Sequence, residues 1–325
     1  MKIIDNLIKR FIGNSILITS FFQKHRWLNF LINFILFISM VLFLYFYISK
    51  DFDIITDFKF NINIKYLGVS ILLLGLNYWT FVIAWHLLLK QFGVNTSFTT
   101  NFSFYSHSQI AKLLPTPAWF ITGRLILYNN IGASKRMIFS LTVIETILHA
   151  YIGFILFLLL HIQPSSPITW LYSLSIIPLI WVMFYLNISN PNFMPISTRN
   201  ISSKIKFIIL LLFIFTWIIS LPFIFYLVRS ILPTEVFSLV ILWRIWIISS
   251  LASYLAMFTL GGIGLLREFS LTLLLSPYVT LPGAMLIAAL TRITITIGNL
   301  IWPLIFILLE KALKYRSLLL NKKSF

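Results

Sequence analysis

TLGGIGLLREFSLTLLLSPYVTLPGAMLIAALTR, residues 259 to 292, is the stretch on which the reading of this chain turns. It sets three glycines (Gly261, Gly262, Gly264), an adjacent Arg267 and Glu268, and then Arg292 among long apolar runs. An ionisable side chain at membrane depth costs at least about 2 kcal/mol, so it faces a partner or a cavity rather than lipid. A broken helix start at that depth is tolerated only where protein or water surrounds the backbone. The stretch therefore reads as one half of a polar site inside an integral membrane protein.

The rest of the chain agrees with that setting. Of its 325 residues 59% are hydrophobic and only 10% charged, and several apolar runs reach the ~20 residues needed to cross a bilayer. The expected fold is all-α: a polytopic helical membrane protein of about 7 to 8 transmembrane helices, with two broken or re-entrant segments and an internal repeat. Residues 1–26 form a basic N-terminal segment, 27–310 a single transmembrane domain with broken segments at 98–130 and 259–280, and 311–325 a basic tail. The gaps between apolar runs are too short for a separate catalytic domain of roughly 100 residues.

Lys and Arg outnumber Asp and Glu by 25 to 8, and they cluster in loops and tails. In a membrane protein this pattern reports orientation rather than nucleic-acid binding, so both termini are expected in the cytoplasm and the chain in the cell membrane. Attraction to anionic lipid headgroups is a compatible second effect. The chain has no cysteine, which excludes disulfides, thiolate metal sites and a cysteine nucleophile. It shows no cleavable signal pattern and no phosphate-binding P-loop, and no cofactor or metal site is expected.

In chain order, spans are expected at about 27–49, 66–89, 137–160, 168–186, 207–228 (kinked at Pro222), 236–258 and 283–309. Asn77, Thr80 and Ala84 give the second span a small, polar face suited to helix packing. Arg244 lies deep enough in the sixth to need a partner. Between spans, residues 91–136 are broken by Pro115 and Pro117 and resume as a short helix from about Ala118 to Tyr128, the pattern of a re-entrant hairpin. The later segment resumes as a short helix from about Leu265 to Leu275. Seven spans and two cytoplasmic ends do not match, so one broken segment should cross completely, and the later one is the choice.

The two broken segments repeat one another with their charges exchanged. Gly123 and Arg124 lie on the first short helix and Glu145 on the following span; Arg267 and Glu268 lie on the second short helix and Arg292 on the span after it. Repeated broken helices are the best sequence pointer to a central site in membrane carriers. With the halves face to face, Arg124 would meet Glu268 and Glu145 would meet Arg292. The competing reading is a set of buried salt bridges that only hold the halves in register.

Short helices that start at depth favour an anion at their free N–H groups. With Lys112, Arg124, Arg267 and Arg292 they would seat a lipid phosphate, and Arg292, Thr296 and Asn299 would line a headgroup path. For Thr296 and Asn299 alone, ordinary hydrogen bonding between helices is the better reading. Glu145 and His149, one turn apart, are candidates for proton coupling, against a packing role for the histidine.

The motifs KLLPTPAWFITGR (112–124), Glu145 on the next span, GGIGLLRE (261–268) and ALTR (289–292) resemble the lysylphosphatidylglycerol synthase transmembrane-region family, which includes the flippase-like half of the multiple peptide resistance factor. The resemblance covers about residues 30–310. It implies handling or movement of a polar lipid across a membrane. The family's usual Pro-Gly pair is replaced by Pro115, Thr116 and Pro117, and the aminoacyl-transferase domain of two-part members is absent. This chain should therefore not make an aminoacylated lipid itself.

Three functions compete. The leading one is a non-enzymatic, flippase-like protein whose partners are membrane lipids, moving the headgroup of an anionic phospholipid or polyprenyl-phosphate carrier through a polar groove. The second is a membrane glycosyltransferase using a polyprenyl-linked sugar, with Asp51 and Asp53 as its acidic site; it predicts that Asp53→Asn abolishes function, where the first predicts almost no effect. The third is a protein that presents lipid to a separately encoded lipid-modifying enzyme or glycosyltransferase. Oligomeric state is not readable from the sequence.

Overall fold

A computed structural model describes residues 62–111, 118–160, 203–232, 238–257 and 265–322. The N-terminal segment, the expected spans at 27–49 and 168–186, the Asp51 and Asp53 loop, Lys112, Pro115, Pro117, Gly261, Gly262 and Gly264 lie outside those residues. The described part is all helix: α1 (Ile64–Gln91), α2 (Phe98–Ile110), α3 (Ala118–Asn129), α4 (Lys135–Leu160), α5 (Ser203–Ile231), α6 (Leu239–Met257), α7 (Leu265–Leu275) and α8 (Leu281–Lys322).

Local chemistry sets several boundaries. The Asn63 side chain accepts from the Lys65 and Tyr66 amides and opens α1, and Ser97 accepts from the Thr100 amide and opens α2. Past α1 and α3 the chain turns at Gly93 and Gly132, whose φ values of 77° and 86° suit glycine. The helix α5 continues through Pro222, and α8 continues through Pro303 and on to Lys322, so much of the expected tail is helical. Among the described residues four helices are long and apolar enough to cross a membrane: α1, α4, α5 and the 281–308 part of α8. This is a helical membrane protein.

At its centre α1 and α5 run antiparallel. The Asn63 amide donates to the Ser230 carbonyl at 2.7 Å, and Asn77 Nδ2 donates to the Thr216 carbonyl at 3.1 Å near the middle of both helices. The start of α1 and the end of α5 thus define one end of the bundle. Along α1, α8 runs parallel, with Gly298 against Leu74, Trp302 against Gly75 and Phe306 stacked on Tyr78. Against α5, α4 packs in the same sense, placing His149 and Gly153 beside Trp217, and Arg244 near the start of α6 reaches the carbonyl of Leu160, the last residue of α4.

Exchanging α1 with α5, α2 with α6, α3 with α7 and α4 with α8 leaves the pattern of helix contacts unchanged. The contact of α2 with α8 is matched by α6 with α4, α1 with α8 by α5 with α4, and α3 with α4 by α7 with α8. Since α1 and α5 are antiparallel, the exchange inverts direction, so the halves are inverted-topology repeats. Both broken segments consequently return to the end they left: α2 follows the end of α1 and α4 starts there, while α6 follows the end of α5 and α8 starts beside it. The expected span at 236–258 and the later broken segment together make the second excursion: α6 leads away from the end of α5 and α7 leads back, as α2 and α3 do in the first half.

The repeat also shows in two matched locks. Trp302 Nε1 donates to the Ile71 carbonyl at 3.0 Å with its ring over Gly75, and Trp217 Nε1 donates to the His149 carbonyl at 2.9 Å with its ring over Gly153. In each case the acceptor lies one helical turn before the glycine. A missing side chain lets the indole reach a carbonyl that is already part of a helix, which brings the two helices close.

Candidate functional site

Both repeated ion pairs sit near mid-depth. At 1.5 Å per residue Glu145 is about 15 Å along α4 and Arg292 about 16 Å along α8, each counted from its own end of the bundle. The face-to-face arrangement anticipated pairs between the halves, Arg124 with Glu268 and Glu145 with Arg292; the pairs instead form within each half. Arg124 pairs with Glu145, and Glu268 with Arg267 and Arg292. The short helix of each half packs on the span that follows it, so each charge meets its partner within its own repeat.

The first pair is sealed. Arg124 and Glu145 are in direct contact with side chains 0% and 7% exposed. The guanidinium carbon lies 4.1 Å from the Trp85 ring centre, 4.3 Å from Phe120 and 4.6 Å from Tyr105, so aromatic faces surround the cation on several sides. Trp85 Nε1 donates to the Tyr128 hydroxyl at 2.9 Å, and that hydroxyl donates to the Asn101 side chain. Gly123, expected among the helix breakers, lies inside α3, where a Cβ would stand 3.7 Å from the Ser108 Cα of α2. It eases the approach of two helices and does not interrupt one.

The second pair is open. Arg267 Nη2 donates to Glu268 Oε1 at 2.6 Å, while Arg292 Nη1 stands 3.8 Å from that oxygen, beyond hydrogen-bond distance, with its side chain 47% exposed. Glu268 Oε2 and Arg267 Nε are shielded from solvent and have no hydrogen-bond partner among the described residues. Thr296 is exposed and donates its hydroxyl to the Arg292 carbonyl; Asn299 is half-buried one turn further on. Exposed Ile293, Ile297 and Leu300 flank this stripe, so charge and hydrocarbon are presented side by side.

His149 lies one turn from Glu145 in an aromatic enclosure. Its ring stacks on Trp217 at 4.7 Å, with Phe81 at 4.8 Å and Tyr254 at 5.7 Å edge-on. The Thr216 hydroxyl donates to the Phe213 carbonyl, which leaves its oxygen to accept from His149 Nδ1–H at 3.2 Å. That arrangement fits a packing histidine. The rings that enclose Arg124 and His149 were not singled out from the sequence, where Trp85, Tyr105, Phe120 and Tyr254 are a few of many aromatics.

Fold and site together define a helical membrane protein built as an inverted repeat around two mid-depth ion pairs, one buried and one open. No family model matches the sequence, and no curated protein matches it.

Proposed function

We propose that the protein moves or handles a polar lipid, with the headgroup taken at Arg267, Glu268 and Arg292 and the tails left along the apolar surface of α8. The observation that carries this reading is the half-exposed Arg292, at mid-depth on a helix whose neighbouring exposed side chains are Ile293, Ile297 and Leu300. A cation there without a bonded carboxylate is costly in hydrocarbon, and a lipid phosphate would relieve that cost. Two arginines against one glutamate favour an anionic or phosphate-bearing headgroup. The basic residues Lys311, Lys314, Arg316 and Lys322 at the end of α8 support, by the positive-inside rule, a cytoplasmic C-terminal end in the cell membrane as part of this reading. The resemblance to the lysylphosphatidylglycerol synthase transmembrane region supports the same class.

The test is reconstitution in liposomes carrying head-labelled anionic, zwitterionic or polyprenyl-phosphate lipids, with label accessibility followed from outside. Protein-dependent movement that favours a phosphate-bearing anionic lipid and is lost in Glu268→Gln and Arg292→Gln, both shown to be folded, is the expected result. Absence of movement for every lipid, with and without a proton gradient, would overturn transport by this chain alone.

A further inference from the structure

The halves are equivalent in connectivity but not in the state of their ion pairs. In the first, the short-helix arginine is pressed against the carboxylate of the span and buried. In the second, the carboxylate of the short helix and the arginine of the span stand 3.8 Å apart, one of them half-exposed. The exchange that maps α1 to α4 onto α5 to α8 maps a sealed pair onto an open one. An inverted repeat caught with unlike halves has a partner state in which the two conditions are traded.

The side chains for that trade are present. Closing the second half would bring Arg292 onto a carboxylate that still has an unbonded oxygen, Glu268 Oε2. Opening the first half would release an arginine whose Nε and Nη2 have no hydrogen-bond partner among the described residues: the guanidinium meets the carboxylate through Nη1 alone, while Glu145 Oε1 accepts from the Tyr105 hydroxyl at 3.5 Å. Tyr254 on α6 stands beside the first pair's helix, its ring 5.7 Å from that of His149, one turn from Glu145. The helix α6 touches both α4 and α7, so a displacement of α6 acts on the two pairs at once.

We propose that the chain has a second conformer in which Glu268 and Arg292 are closed and Arg124 and Glu145 are parted, and that the two pairs close in alternation. Access to the middle of the bundle would then switch from one end to the other without any helix crossing the membrane. The inference concerns the conformers of the chain and stands whichever solute is carried.

The chain has no cysteine, so spin-label pairs can be introduced without removing any residue of that kind. Ile126→Cys with Ile147→Cys reports α3 against α4, and Leu273→Cys with Ile293→Cys reports α7 against α8; all four positions are exposed. Distances are measured in nanodiscs with no substrate added, so the outcome is independent of the lipid-transport assay. Two distance populations are expected for each pair. Glu145→Gln should lengthen the first pair and shorten the second, and Arg292→Gln should do the opposite. Trp85→Phe keeps both charges and should act in the direction of Glu145→Gln with a smaller shift, which preserves the test if the buried-charge variant does not fold. One unchanged distance for each pair across all variants that fold, or both pairs lengthening together, would overturn the proposal.

Discussion

Trp302 occupies the space that a side chain on Gly75 would need: a Cβ there would stand 2.3 Å from the indole. Gly153 has the same relation to Trp217, also at 2.3 Å. An aromatic ring bonded to a carbonyl cannot turn aside, so overpacking at these points should be costly. Gly75→Ala and Gly153→Ala are each expected to destabilise the protein by about 1–3 kcal/mol. Gly68→Ala, in α1 with nothing within 4 Å, should be neutral or slightly stabilising through helix propensity. Thermal unfolding in detergent ranks the three.

The buried pair should respond asymmetrically to loss of one or both partners. Arg124→Gln or Glu145→Gln leaves a charge enclosed without its counter-ion and should cost about 3–5 kcal/mol. Replacing both, as in Arg124→Met with Glu145→Leu, should recover much of that loss, because apolar groups need no counter-charge. Arg292→Gln removes a charge that is costly at that depth and breaks no hydrogen bond to a carboxylate, so it should not destabilise the protein. Denaturation midpoints of the four proteins decide it. Equal losses in Arg124→Gln and Arg292→Gln would contradict the contrast between a sealed and an open pair.

Trp85 serves the sealed pair twice, as a ring over the Arg124 guanidinium and as a donor to Tyr128. Trp85→Phe retains an aromatic face and removes the donor, so a loss of about 1–2 kcal/mol is expected. Trp85→Leu removes both and should lose more. Unfolding of the two variants side by side separates the contributions.

Arg244 closes the end of α4 through the Leu160 carbonyl. Arg244→Ala should leave that terminal turn without its side-chain donor. Hydrogen exchange should quicken in the last turn of α4 and remain unchanged at its start. A uniform rise along the whole helix would instead indicate global loosening.

Much of the local structure is legible in the sequence, because local rules determine it. The second short helix occupies Leu265–Leu275 as its apolar pattern predicts, and the first begins at Ala118. The repeat is legible too, through the exchanged charges of Arg124 and Glu145 against Glu268 and Arg292. Pairing was not, since helical periodicity tells which face a charge lies on and says nothing of the helix it meets. Arg244 shows the same limit: its depth called for a partner, and the partner is a backbone carbonyl that no residue pattern marks. Gly75 and Gly153 pass as ordinary small residues until the indoles that lie over them are seen.

Glycine and tryptophan have changed places between the two locks. In one, the glycine belongs to α1 and the tryptophan to α8; in the other, the tryptophan belongs to α5 and the glycine to α4. A chain made of the first half twice over would set glycine opposite glycine at both contacts and leave two gaps. The second half twice over would set tryptophan opposite tryptophan where only one fits. The halves share a plan, yet each is shaped as the other's mould, and neither could serve as its own partner.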